Sequence, residues 1–394
     1  MSYKLKPFLL FLMLIVFTSV DAYANGEEGH EEAYDPVSSV LHHISDANEF
    51  HFVKGISVPL PCIVYAPGEG WSFFSSSVFE HGHKTYNGYV LNHGRVNKIA
   101  DGSFPKGEVD IDGIEHKEVK DEETGEEHEV SYAIVDGKEY ALDPPSTLDG
   151  GLVGGGVTSF YDFSLTRNVA MMILAVLLLF WLFSSVARAY KRREGKPPRG
   201  VQAFMEPLFI FMRDEVAKPM IGPKYEKYQP FIMSLFFFVL ILNLLGLFPP
   251  FGANITGNIS VTLALAVLTF LVVNLSGNKN YWQHVLWMPG IPAWVKIILT
   301  PVEILSLFIK PFALTIRLLA NISAGHIIIL SIVGLIFLLG HSGQSIGGAI
   351  GGGVIGMLLG LLMNLLEILV AFVQAYIFAM LSASYIGAAI EEQH

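Results

Sequence analysis

The pattern of hydrophobic and polar positions along this chain changes near residue 160. Before that point, short apolar runs such as residues 56–60 and 132–135 are separated by Gly, Asn and Asp turn signals. They predict a small, mostly β module, with residues 115–129 forming an acidic solvated loop or hairpin tip. After it, apolar runs at 169–186, 231–248 and 259–275 each approach the roughly 20 residues that a membrane-crossing helix needs. Residues 200–218 are apolar on one side and carry Glu206, Arg213, Asp214, Glu215 and Lys218, which predicts a helix lying in the membrane interface. Two helical patterns at 301–339 and 353–390 follow, separated by a Gly-rich loop at 340–352. At about 1.5 Å per residue each is on the order of 55 Å long, well beyond a hydrocarbon core of about 30 Å, so both must tilt, bend or lie partly in the plane.

The fold class expected is therefore a multi-pass α-helical membrane protein with about five membrane helices and an interfacial helix. The last two helices are long, tilted and paired as an antiparallel hairpin, and an N-terminal, mostly β extracytoplasmic domain precedes the membrane part. Residues 1–24 read as a signal peptide, 25–160 as an acidic extracytoplasmic domain and 161–394 as a membrane domain. Lys4 and Lys6 supply the basic start, 7–20 the apolar stretch and Ala22-Tyr23-Ala24 the small-x-small cleavage site.

Composition sharpens this division. The chain is 52% hydrophobic and 15% charged with a mean hydropathy of +0.48, too apolar for an ordinary soluble protein. Its net charge of −11 hides a split. Residues 25–160 hold 25 acidic and 8 basic side chains, while the remainder is net basic. Arg188, Lys191, Arg192, Arg193, Lys196 and Arg199 directly follow the first apolar run and mark its cytoplasmic end. The expected location is the bacterial plasma (inner) membrane, with the N-terminal domain periplasmic and the C-terminus cytoplasmic. A Gly-rich linker at 150–156 joins the two parts. Cys62 is the one cysteine, so no internal disulfide forms. His30, His42, His43, His51, His81, His83, His93, His116 and His128 lack a recognised ligand spacing, although His81-Gly82-His83 would put two imidazoles on one face of a strand. No metal or cofactor is expected.

Arg317 is the most informative residue. It sits in an apolar helix where an arginine costs at least about 2.5 kcal/mol on the most lenient scale. Arginine does not release its proton in a protein, so it is no relay; it is a fixed charge. A carboxyl buried in lipid keeps its proton, but beside Arg⁺ its pKa falls by about 1 to 3 units and the proton leaves. The remaining polar groups align by depth. In an antiparallel hairpin, residues at one level have numbers with a constant sum. Arg317 with Gln374 gives 691 and His326 with Glu367 gives 693, so one register aligns both pairs. The second level lies about 14 Å along the helix from the first and roughly half a turn out of phase. An imidazole and a carboxylate at one depth form a plausible proton relay. Glu303, Lys310 and Arg317 repeat every seventh residue and share a helix face. Glu303 either opens an inner water path or pairs with Lys296 or Lys310. Asn321, one turn after Arg317, can brace the guanidinium.

The string Ala313-Leu314-Thr315-Ile316-Arg317-Leu318-Leu319-Ala320-Asn321-Ile322 resembles the signature of the subunit a family of F-type ATP synthases. Asn243-Leu244-Leu245-Gly246-Leu247, Asn258-Ile259-Ser260-Val261-Thr262-Leu263, Glu303-Ile304-Leu305-Ser306 and Gln374-Ala375-Tyr376-Ile377-Phe378 resemble it too. The likeness covers residues 165–390. It implies a stationary proton-conducting subunit, not an enzyme by itself, that offers two half-channels to a rotating ring of c subunits. The implied partners are that c ring, the b-subunit peripheral stalk and the rest of the complex, with protons as the transported ion, a lipid bilayer around the chain and no nucleic acid. Arg317 would be the essential charge facing the ring, with Gln374 beside it. His326 and Glu367 would line the outer half-channel, Asn321 and Glu303 the inner. Many bacterial members carry the acid and the imidazole of the outer pair in exchanged positions, and the usual ones lack the domain at 25–160. A secondary transporter with a midplane polar site is the alternative from another class. It would show paired repeats and broken helices in both halves, and the sequence shows neither.

Overall fold

The computed structural model describes residues 46–53, 56–102, 104–120, 127–144, 146, 159–247, 255–288, 290–339 and 346–391. The predicted signal peptide, the linker at 150–156, His30, His42 and His43 lie outside the described residues.

Among the described residues, the N-terminal module is built from twelve short strands: β1 Glu49–Val53, β2 Ile56–Pro59, β3 Pro61–Ala66, β4 Gly70–Ser75, β5 Lys84–Tyr86, β6 Tyr89–Asn92, β7 Arg95–Lys98, β8 Glu108–Asp110, β9 Gly113–Lys120, β10 Glu127–Val135, β11 Lys138–Ala141 and β12 Tyr161–Asp162. They form four small sheets with strand orders β1-β2, β12-β3-β4, β7-β6-β5-β8 and β11-β10-β9, and their pairings are antiparallel. Local chemistry sets the registers. Asn87-Gly88 and Asp136-Gly137 close two hairpins, with positive φ at both turn residues (51° and 79°, 50° and 74°). That is the backbone a two-residue hairpin turn of matching twist requires.

Burial follows the strand period of two. Along β3, Cys62, Val64 and Ala66 face a core shared with Phe79, Tyr89, Leu91, Val96 and Phe160, while the residues between them point away. Burial pushes the Cys62 thiol up to about 12, outweighing a hydrogen bond to Ser164, so it stays protonated and inert at neutral pH.

Of the two forms expected for the segment 115–129, the hairpin holds: β9 reaches Lys120 and β10 starts at Glu127, paired from Glu127↔Lys120 onward, with 121–126 outside the described residues. Cross-strand pairing satisfies the backbone despite the acidic side chains. One expectation for this module changes: His81-Gly82-His83 is not a strand. It ends a 3₁₀ turn, Ser76–Gly82, with His81 at φ 60° and its Nδ1 3.1 Å from the Glu49 carboxylate. The two imidazoles therefore do not alternate on a strand face.

The module is bonded directly to the first long helix, α1 Arg167–Arg192. Phe163 N–H donates to the Ile63 carbonyl, Leu165 N–H to Pro61 and Arg167 N–H to Ala47, at 2.8, 3.0 and 2.7 Å. Asn168 N–H donates to Asp46 Oδ1, and the Thr166 hydroxyl caps the helix by accepting from Val169 N–H.

Next come α2 Val201–Phe211, a π-helical turn Met212–Ala217, a short turn Lys218–Ile221, α3 Tyr225–Gly246, α4 Ile259–Ser276, α5 Lys279–Trp287, α6 Ala293–Leu339 and α7 Ile346–Ile390. Among the described residues, five stretches, Arg167–Arg192, Val201–Gly246, Ile259–Ser276, Ala293–Ile329 and Ile350–Ile390, are long and apolar enough to cross a membrane. The protein is a multi-pass helical membrane protein. The segment expected as a separate interfacial helix is helical, and Gly222, at φ 76°, turns the chain between it and α3. Its π turn is held by Asp214, which accepts from Arg213 at 2.9 Å and from Lys218 at 2.7 Å.

The last two helices exceed expectation. With 47 and 45 residues, each is about 70 Å long. Residues 346–352, expected in the loop, are the first turns of α7. Glycine is a poor helix former by about 1 kcal/mol per residue, but continuation of an existing helix needs no new nucleus.

Small residues let this bundle close. Ala371, Ala375, Ala379 and Ala383 recur every fourth position on α7 and are fully buried. Gly387 lies directly against the Met220 backbone carbonyl, where any side chain would meet main chain. On the outside, Ile173, Val176, Leu177, Phe180 and Trp181 of α1 are exposed. A water-soluble protein would not leave such a row uncovered, and lipid is its natural solvent.

Candidate functional site

α6 carries two stripes. Leu314, Leu318 and Ile322 are buried in the bundle core, whereas Arg317, Asn321 and Ala324 lie on an exposed face. The spacing of four and three residues keeps each stripe on one side. Arg317 therefore points away from the protein interior, within an apolar surface that includes Phe312 and Ile316. It forms no ion pair or hydrogen bond among the described residues, and the same holds for Asn321.

α7 faces inward at the matching depth. Glu367, Ala371, Gln374, Ala375 and Phe378 are buried on one stripe. Two contacts fix how α6 and α7 pair. The Gly325 backbone touches the Glu367 side chain, and Lys310 Nζ sits 5.6 Å from the centre of the Tyr385 ring. The residue numbers of these contacts sum to 692 and 695, so the helices are antiparallel in the register inferred from the polar pairs. At the level of Arg317 this puts residues 375–378 of α7, immediately beside Gln374. Arg317 and Gln374 are not hydrogen-bonded to each other. His326 follows Gly325 in α6, one residue from the Glu367 contact, and its side chain lies outside the described residues.

Glu367 is 5% exposed, and its Oε2 has no hydrogen-bond partner among the described residues. Close by, α3 contributes a residue that stood out in sequence only as part of a family-like string. Asn243, 3% exposed, donates from Nδ2 to the Ala371 carbonyl at 3.1 Å, one turn beyond Glu367. Its Oδ1 is buried and likewise without a partner among the described residues. Burying an unpaired amide oxygen costs about 1–3 kcal/mol, so two such orphans near one another form a polar spot suited to water or to a travelling proton. The signal was present in sequence as an amide near the end of the apolar run 231–248.

Gly325 controls this spot. A methyl group there would run into the Glu367 carboxylate, with Cγ only 3.0 Å and Cδ 3.1 Å from the new carbon. The obstacle is a movable side chain, so Gly325→Ala should leave the protein assembled but displace the carboxyl group.

On the other side of Arg317, α4, α5, α6 and α7 border a small, partly open pocket with room for about one water, lined by Thr269, Asn274, Tyr281, Lys310 and Tyr385 among apolar residues. Burial raises the Tyr281 hydroxyl's pKa, and the nearby Glu303 charge adds to the rise. Glu303 itself borders a narrow crevice with His284, Lys296 and Thr300. It does not pair with Lys296 or Lys310. Lys296 Nζ instead lies 4.7 Å from the Trp287 ring, and Lys310 is over Tyr385.

A membrane bundle with an outward arginine and a buried carboxyl at another level has the arrangement that membrane-embedded ion paths use. The profile of the ATP synthase A chain family matches residues 169–387, more than half of the sequence, and the chain belongs to that family. Residues 39–122 match a domain of unknown function. Among relatives, an ATP synthase subunit a of Chlorobium phaeobacteroides (strain BS1) is 42% identical over 233 residues, 57% of this chain and 67% of its own length. One from Chloroherpeton thalassium is 42% identical over 213 residues, 52% of this chain and 62% of the relative. One from Myxococcus xanthus is 40% identical over 208 residues, 51% of this chain and 67% of the relative. The matched region thus spans about two thirds of the length of these relatives.

Proposed function

We propose that this chain is the stationary, proton-conducting subunit of an F-type ATP synthase, set in a bacterial inner membrane and working against a rotating ring of carboxyl-bearing c subunits, with a b-subunit stalk holding it still. Its relatives carry the name ATP synthase subunit a. The observation that carries the reading is the outward Arg317 on an exposed apolar face of α6, with buried Glu367 behind it at another level. A ring helix packed on that face would bring its carboxyl past a charge that never leaves. Arg317 favours the ionised carboxylate and so releases the proton on one side; after rotation the carboxyl must reload before it enters lipid. Glu367, His326, Asn243 and Gln374 form the outer path. The pocket bordered by Lys310, Tyr281 and Asn274, with Glu303 and Asn321, forms the inner one.

Charge supports one orientation. Lys191 and Arg192 close α1, followed by Arg193, the basic cluster expected at the cytoplasmic end of a membrane helix. In this orientation the β module at the start of α1 lies outside, as do the end of α6 and the start of α7, and the end of α7 lies inside.

The test is ATP-driven acidification of liposomes reconstituted with the purified complex, with and without this chain. Pumping should require the chain, while ATP hydrolysis by the soluble sector continues without it. Pumping at the full rate in its absence would overturn the reading.

A further inference from the structure

The sheet β12-β3-β4 has one face in the module core and the other face uncovered. Cross-strand register arranges the uncovered face as two rungs. Tyr161, Tyr65 and Trp71 are aligned in one, and Phe163, Ile63 and Phe73 in the other. The aromatic rings touch: Tyr65 and Trp71 are 5.1 Å apart, Trp71 and Phe163 5.5 Å, Trp71 and Phe73 6.2 Å, Tyr65 and Tyr161 6.5 Å. Yet Phe73 is 70% exposed, Trp71 56% and Phe163 49%. Side chains of this size each bury about 150–250 Å² when they find a partner, so this is a large apolar surface left open, and no residue of either rung is charged.

Its place in the chain identifies the partner. β12 leads straight into α1, whose cap is Thr166, so the Phe163–Ile63–Phe73 rung is the one nearer the membrane helix. The Tyr161–Tyr65–Trp71 rung stands one strand repeat, about 7 Å, farther away. Apolar rings nearest the hydrocarbon, with amphipathic Tyr and Trp above them, is the order of a membrane interface. A protein-binding patch has no reason to be graded in that direction. Exposed apolar side chains also line α1 from its second turn on, among them Ile173, Val176 and Leu177.

We propose that this aromatic face rests in the headgroup region of the bilayer leaflet from which α1 starts, seating the β module on the lipid surface. It acts with the backbone bonds to residues 163–167 to hold the module against the membrane rather than standing off on a stalk. The inference concerns a surface far from Arg317 and holds whichever side of the membrane the module occupies.

Nitroxide labels at Phe73→Cys and, separately, Trp71→Cys test it in the assembled complex, with the other subunits cysteine-free, in nanodiscs of phosphatidylethanolamine and phosphatidylglycerol. Cys62 is buried and protonated and takes no label. Asp110→Cys, at a side chain 86% exposed on another sheet, is the aqueous reference. The ratio of collisions with oxygen to collisions with a water-soluble nickel chelate should be several-fold higher at position 73 than at 110, with position 71 between them. A ratio at 73 equal to that at 110 puts the face in water and overturns the proposal. Low collision rates with both agents at 73 mean that protein covers it, which overturns the proposal equally.

Discussion

Replacing Arg317 with alanine should abolish ATP-driven acidification of inverted vesicles while the complex still assembles. Assembly survives because the side chain lies on an exposed face and its loss opens no hole in the core formed by Leu314, Leu318 and Ile322. Transport fails because the fixed charge is gone. A shift of about 1 to 3 pKa units in a passing carboxyl corresponds to roughly 1.4 to 4 kcal/mol, enough to decide whether it holds or releases its proton. Arg317→Lys should restore little. A lysine keeps a charge at neutral pH, but it is a compact ammonium that can itself shed a proton when desolvated, and it lacks the planar fork that meets a carboxylate side-on. Full pumping by an assembled Arg317→Ala complex would remove this residue from the mechanism.

The second large effect is expected at the outer level. His326→Glu would place a second carboxyl group in α6 beside the Gly325–Glu367 contact, and Glu367→His would leave two imidazoles at one depth. Each single exchange should reduce coupled pumping severely, because like groups in a low-dielectric site oppose the charge that a relay needs. Making both exchanges restores one acid and one imidazole, and pumping should recover to several-fold above the worse single variant. Such recovery is the signature of two groups acting as a unit. A double variant no better than the worse single one would mean that the two residues act separately or not at all.

How much of this was legible beforehand differs element by element. The membrane helices were readable because crossing a bilayer demands long apolar runs, and nothing later in folding can replace them. The register of α6 and α7 was readable for a related reason. Polar residues in lipid are costly and must share a depth, so Arg317 with Gln374 and His326 with Glu367 pointed to a pairing that the Gly325–Glu367 and Lys310–Tyr385 contacts now carry. The helix over 346–352 was not readable, because a glycine run signals a loop until a neighbouring helix sustains it. Nor was the length of the strands at 115–120 and 127–129, where acidic side chains masked strands held by backbone pairing.

By itself, then, the sequence determined the division into a β module and an apolar helical part, the singular Arg317 and the depth of its polar companions. All of these are set by transfer free energy along a one-dimensional chain. Only the tertiary structure decided which way those residues face. It turned Arg317 outward and Glu367 inward, brought Gly325 against Glu367 and Asn243 to the Ala371 carbonyl, and left Trp71 and Phe73 uncovered beside α1. Facing depends on how each helix or strand is rotated against its neighbours. That rotation is settled by close packing among residues far apart in the chain, which no local pattern encodes.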